Sequence, residues 1–116
     1  MKLPILFGSL AIACVATAAG AHAFLQRANP GAGAVLTASP KAVVLRFSEE
    51  LEPVFSGADV TDSAGRSVQA ANVAISGNSI VARLRPLPPG RYKIAWHAVS
   101  VDTHRTQGAY SFTIKP

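Results

Sequence analysis

The sequence predicts an all-β domain of the sandwich or small-barrel kind, and three observations carry that prediction. Apolar and polar residues alternate in short runs, as at Val43-Leu45-Phe47 and Ile80-Ala82-Leu84. Pro, Gly, Asn and Asp break the runs at close intervals. Beyond residue 21, no long stretch repeats its apolar positions with a helical period.

The elements follow in order. An extended piece over Ala23–Ala28 ends in an Asn29-Pro30-Gly31 turn, and Ser39-Pro40 precedes a strand whose Val43, Leu45 and Phe47 face inward. Glu49-Glu50-Leu51-Glu52-Pro53 reads as a solvated polar break. Ala58–Thr61 is a strand closed by the Asp62-Ser63-Ala64-Gly65 turn, and a further strand is expected within Gln69–Ile75. Ser76-Gly77-Asn78 turns the chain into Ile80, Ala82 and Leu84, with Arg83 and Arg85 on the solvated face. Pro86–Gly90 is a rigid connection, since proline cannot donate to a ladder. Arg91–Val99 places Tyr92, Ile94, Trp96 and Ala98 on one side, with Trp96 at the centre of the core, and Ala109–Ile114 turns Tyr110, Phe112 and Ile114 inward.

The chain begins differently. Lys2 precedes an uncharged stretch from Leu3 to Ala21 that closes with Ala19-Gly20-Ala21, the small-x-small pattern of a secretory cleavage site. Residues 1–21 are therefore expected to be a signal peptide and 22–116 one exported mature domain, beginning at His22. Other outcomes stay open on the same residues: an uncleaved membrane anchor, lipid attachment at Cys14, or a cut after Ala23 that removes the histidine.

Composition excludes several functions. Cys14, the one cysteine, lies in the leader, so a mature domain has no thiolate chemistry and no disulfide. Eleven Lys and Arg against six Asp and Glu give a formal net charge of +5. The arginines are scattered along the sequence without interleaved aromatics, which speaks against a nucleic-acid groove and for solubility with a weak attraction to anionic surfaces.

The candidate chemistry lies with the histidines. A terminal His22 carries an α-amine and an imidazole, and both can close on one ion, an arrangement that favours copper(II). In an extended segment Asp102 and His104 point the same way, with Thr103 aside, and offer one oxygen and one nitrogen. Together the three residues supply three nitrogens and one oxygen, a tetragonal set suited to copper(II) more than to zinc. On spacing alone, D-x-H is a weak motif, and an exposed loop histidine beside an aspartate is more often a solvated pair than a ligand pair. His97 has the parity opposite to Trp96 and is expected at the surface. Glu49, Glu50 and Glu52 read as solvated. No methionine follows Met1, so soft donors for copper(I) are missing.

The run Tyr92-x-Ile94-x-Trp96-x-x-x-Ser100-x-Asp102-x-His104-x-x-x-Gly108-x-x-x-Phe112-x-Ile114 resembles the C-terminal signature of CopC-type periplasmic copper-binding proteins. His22-Ala23, Ala28-x-Pro30, Gly33-Ala34-Val35-Leu36, Ser39-Pro40 and Leu45-x-Phe47-Ser48-Glu49 agree with it, so the resemblance covers essentially all of 22–116. It implies a seven-stranded Greek-key sandwich or barrel, Ig-like or cupredoxin-like in shape. It also implies one copper(II) per chain, held by His22 as a two-nitrogen ligand and by Asp102 and His104. The implied role is a monomeric carrier or chaperone in copper resistance or homeostasis, with the copper ion and an inner-membrane importer of the CopD type as partners. Phe24 stands where many members carry a histidine, and the Met-rich segment is missing, so no copper(I) site is expected. Two other classes remain: a copper-dependent oxidative enzyme of histidine-brace type, and a metal-free Ig-like interaction module.

Overall fold

The structure, a computed structural model, describes residues 24–116. The stretch expected to be a signal peptide, with Cys14, and His22 lie outside those residues. Among the described residues there are eight strands: β1 (Leu25–Asn29), β2 (Val35–Leu36), β3 (Ala42–Phe47), β4 (Gly57–Thr61), β5 (Ala74–Ser76), β6 (Ser79–Arg83), β7 (Gly90–Val99) and β8 (Arg105–Ile114). They form two open four-stranded sheets, ordered β1-β3-β6-β5 and β2-β8-β7-β4. Consecutive strands β3 and β4 sit in different sheets, as do β6 and β7, yet β3 pairs with β6 and β4 with β7. Such interlocking belongs to a Greek-key sandwich.

Alternation builds the core as the sequence predicts. Val43, Leu45 and Phe47 are fully buried from one sheet, and Ile80 and Ala82 join them from the neighbouring strand. Val60, Tyr92, Ile94, Ala98, Phe112 and Ile114 meet them from the other sheet. Tyr92 stacks on Phe112 across the β7–β8 ladder, with ring centroids 5.4 Å apart. Its hydroxyl donates to Pro88 O at 2.6 Å, four residues upstream, which fixes the chain where it enters β7.

Four sequence expectations change. The strand count rises to eight because Val35–Leu36 pairs in parallel with Thr113–Ile114, a long-range contact with no local signal. The strand expected within Gln69–Ile75 shrinks to Ala74–Ser76. Gln69 instead bridges to Leu84, and its side-chain carbonyl accepts the Val60 N–H at 2.9 Å, so this piece of chain ties the two sheets together. The last strand starts at Arg105, since β7 keeps β8 in register through ten residue pairs. Finally, Trp96 is only partly buried. Its indole packs edge-on against Phe47, with centroids 5.1 Å apart at 71°, and lies over its cross-strand partner Gly108. A Cβ at Gly108 would stand 2.7 Å from Trp96 Cζ2, so the indole needs a glycine there. The fully buried core is Val43, Leu45, Phe47, Val60, Ile80 and Ile94.

Both tyrosines serve as alkaline probes of this packing. Burial pushes the Tyr110 phenol up to about 12, and its hydroxyl donates to Pro30 O at 2.8 Å. Burial also raises Tyr92, with Asp62 adding to the effect. The native state thus holds protons that an unfolded chain releases near the ordinary tyrosine value. Stability from Tyr110 is present below that value and is lost as pH rises through about 12. Phenolate absorbance should therefore stay low past the pH at which free tyrosine ionises and then rise together with loss of β-structure. Ionisation at the free-tyrosine pH with the fold intact would contradict the packing described.

Candidate metal centre

Strands β7 and β8 are joined by Ser100–His104, a turn tight enough to gather three side chains. Thr103 N donates to Ser100 O at 2.8 Å, and Ser100 N donates to His104 O at 2.9 Å. Thr103 has a φ of 73°, the left-handed region that a β-branched residue seldom occupies. That backbone reversal swings His104 back over Asp102.

The side chains complete the knot. Ser100, fully buried, donates its hydroxyl to Asp102 Oδ1 and accepts the His104 N–H at 3.3 Å. The same Asp102 oxygen stands 3.2 Å from His104 Nδ1. The Ser100 hydroxyl first, and His104 second, hold the Asp102 carboxyl below its ordinary pKa, so it is an anion at any physiological pH. Both remain open to solvent, with 41% of the His104 side chain and 50% of the Asp102 side chain exposed. The imidazole turns Nδ1 toward the carboxylate at 3.2 Å, outside hydrogen-bond geometry, which leaves Nε2 for a metal, and the carboxylate has a second oxygen to offer.

The turn is seated on a neighbouring stretch of chain. Leu51 bridges to Ser100, Glu52 N donates to Val99 O at 2.8 Å, and Val101 N donates to Glu50 O at 3.0 Å. Just upstream, Ser48 N donates to Phe24 O at 2.8 Å, and Phe24 N donates to Ser48 Oγ at 2.8 Å. The start of the described chain and the Asp102–His104 turn thus flank one segment, residues 48–52.

The structure brings Asp102 and His104 together, though by a turn with a left-handed Thr103 and not by the parity of an extended strand. Among the described residues, no three His, Cys, Asp or Glu side chains converge on one point. His97 and the glutamates at 49, 50 and 52 therefore stay outside the pair. His97 lies exposed on the outer face of its sheet, between Gly57 and Gln107, as its parity predicts. Sequence reasoning missed the orienting role of Ser100. The Ser100-x-Asp102-x-His104 spacing was its one visible trace.

A family model for the CopC domain matches residues 25–115. Protein YobA of Escherichia coli (strain K12) is 40% identical over 99 residues, covering 82% of this chain and 80% of that protein. The crystal structure of CopC from Methylosinus trichosporium OB3b is similar at a TM-score of 0.75 and 33% identity, covering 82% of this chain and 95% of that one. The crystal structure of PcoC, a methionine-rich copper resistance protein from Escherichia coli, is similar at a TM-score of 0.70 and 39% identity, covering 82% of this chain and 100% of that one.

Proposed function

This chain belongs to the CopC family, several of whose members bear the name of copper resistance proteins, and from that premise we propose that it is a periplasmic copper(II) carrier whose ion is held by His22, Asp102 and His104. One observation carries the reading. An ionised carboxylate and an adjacent imidazole share a turn that sits on the segment to which Phe24, the first described residue, is bonded. His22 is two residues before Phe24, a reach of at most about 7 Å, so a cut after Ala21 would put its amine and imidazole in the neighbourhood of the turn.

Two nitrogens from His22, one from His104 and an oxygen from Asp102 make the tetragonal set that suits copper(II). Capture costs little reorganisation on the side of the turn, because Ser100 already holds the carboxylate through its hydroxyl and the backbone of His104 on both sides. Release follows from ligand chemistry. The amine and imidazole must be unprotonated to bind, so acid loosens the ion. Reduction does the same, because with Met1 and Cys14 both in the leader no thioether or thiolate remains for copper(I). This differs from the relative described as methionine-rich. A monomer handing its ion to a CopD-type inner-membrane importer fits these properties.

Competition titration with chelators selective for each oxidation state tests the proposal. We expect one copper(II) per chain and a weaker hold on copper(I). His104→Ala should lower copper(II) affinity by about tenfold or more, as for loss of one ligand from a chelate, and His97→Ala should leave it unchanged. Copper(I) affinity equal to that for copper(II), or an unaltered His104→Ala variant, would overturn the assignment.

A further inference from the structure

Charges that look scattered in sequence are sorted in space. Strands β7 and β8, ten residues each, run from pole to pole of the sandwich, roughly 30 Å at the usual rise per residue. The Asp102–His104 turn caps one pole. The other pole is formed by the start of β7, the end of β8, the start of β3 and the ends of β4 and β6.

Basic residues gather at that second pole. Lys41 enters β3 there, and Arg83 ends β6 opposite Ala42. Arg91 and Lys93 lie at the start of β7 on the outer face of the other sheet, and Lys115 follows β8. Arg66 and Arg85 extend the group through the loops, where Arg85 Nη2 donates to Ser67 O. All seven are exposed, and Asp62 is the one acidic side chain among them. The turn's half is the reverse. It holds Glu49, Glu50, Glu52, Asp59 and Asp102 against Arg27, Arg46 and Arg105.

We infer that the basic pole binds the anionic phospholipid surface of a membrane and stands the domain upright on it, with the Asp102–His104 turn facing away. The collar wraps both outer faces, so several of its charges can come within a Debye length of one plane at the same time. Each basic residue so placed strengthens binding about fivefold. The acidic pole is repelled by the same surface, which selects the orientation. Among the described residues, large exposed apolar side chains at 24, 54, 55 and 101 lie toward the turn's half, and at the basic pole only Val35 is comparably exposed. The attachment is therefore electrostatic and reversible by salt, without insertion. A carrier held this way keeps its turn open to capture of the ion, and hand-over to an inner-membrane importer would follow reversible release from the surface.

Vesicle co-sedimentation without copper tests this independently of the metal assignment. The exported protein, without residues 1–21, is mixed with phosphatidylcholine vesicles, with or without phosphatidylglycerol, and two triple variants are compared. Lys41→Glu/Arg83→Glu/Lys93→Glu alters the basic pole. Arg27→Glu/Arg46→Glu/Arg105→Glu makes the same change in net charge in the other half. All these positions are exposed, and circular dichroism confirms folding. We expect retention on phosphatidylglycerol vesicles alone, release by high salt, at least a tenfold loss in the first variant and no more than about a twofold loss in the second. Equal losses in both variants would mean net charge acts without a pole. No retention, or pelleting without vesicles through pole-to-pole contact between copies, would likewise overturn the inference.

Discussion

Acetylating the α-amine of His22 in the exported form should lower copper(II) affinity by about 10²-fold to 10⁴-fold, the advantage that a second tethered contact gives over a single one. The reasoning is local. An amide nitrogen has no lone pair to offer at neutral pH, so acetylation turns a two-nitrogen ligand into a lone imidazole. Asp102 and His104 cannot compensate, because no third His, Cys, Asp or Glu converges with them among the described residues. The modification can be made selective, since at mildly acidic pH the α-amine, with an ordinary pKa near 7.7–8.0, reacts well ahead of lysine at about 10.4. Isothermal competition titration before and after acetylation reads the result. An unchanged affinity would show that the chain's start takes no part in the site.

Phe47→Ala should be the most damaging single change to the fold. Phe47 is fully buried, stands edge-on to Trp96, and its N–H donates to Asn78 O at 2.8 Å. Truncating such a side chain costs about 3–5 kcal/mol from lost burial and the cavity left behind. Against a total of about 5–15 kcal/mol for a domain of this kind, that is a large share. The melting temperature should fall by roughly 15–30 °C. Phe55, 61% exposed, is the matched control, and its truncation should shift stability by no more than about 0.5 kcal/mol. Thermal unfolding followed by circular dichroism separates the two, and similar melting temperatures would contradict the core assigned here. Because Phe47 adjoins Ser48, where Phe24 is bonded, the variant should also weaken the neighbourhood of the candidate site.

Strands β3 and β6 were legible because one face of each is dry and the other wet, and that difference is written in alternate residues. The first half of β8 was not. Arg105-Thr106-Gln107-Gly108 has no apolar alternation, and its strand conformation is inherited from pairing with β7. β2 is two residues held by a partner far along the chain, which no window of local sequence contains. Trp96 was misplaced because parity gives a face but not a depth. Its position depends on the space left above Gly108.

At the site, the residue types of Asp102 and His104 were legible and the reason for their convergence was not. Nothing in a threonine announces a left-handed backbone, so the turn at Thr103 and the role of Ser100 within it emerge only in three dimensions. The charge sorting was hidden for a related reason. Antiparallel strands fold distant residues such as Lys41, Arg83 and Lys115 to one end, and a linear scan reads them as scattered.

Pulsed electron paramagnetic resonance on the copper(II)-loaded exported protein, prepared with ¹⁵N-labelled histidine, tests the central claim most directly. The account predicts one type of copper(II) signal coupled to two distinct imidazoles and to the labelled α-amine of His22, with one imidazole coupling lost in His104→Ala. A signal lacking the amine coupling, or one that persists unchanged in His104→Ala and vanishes in His97→Ala, would contradict it.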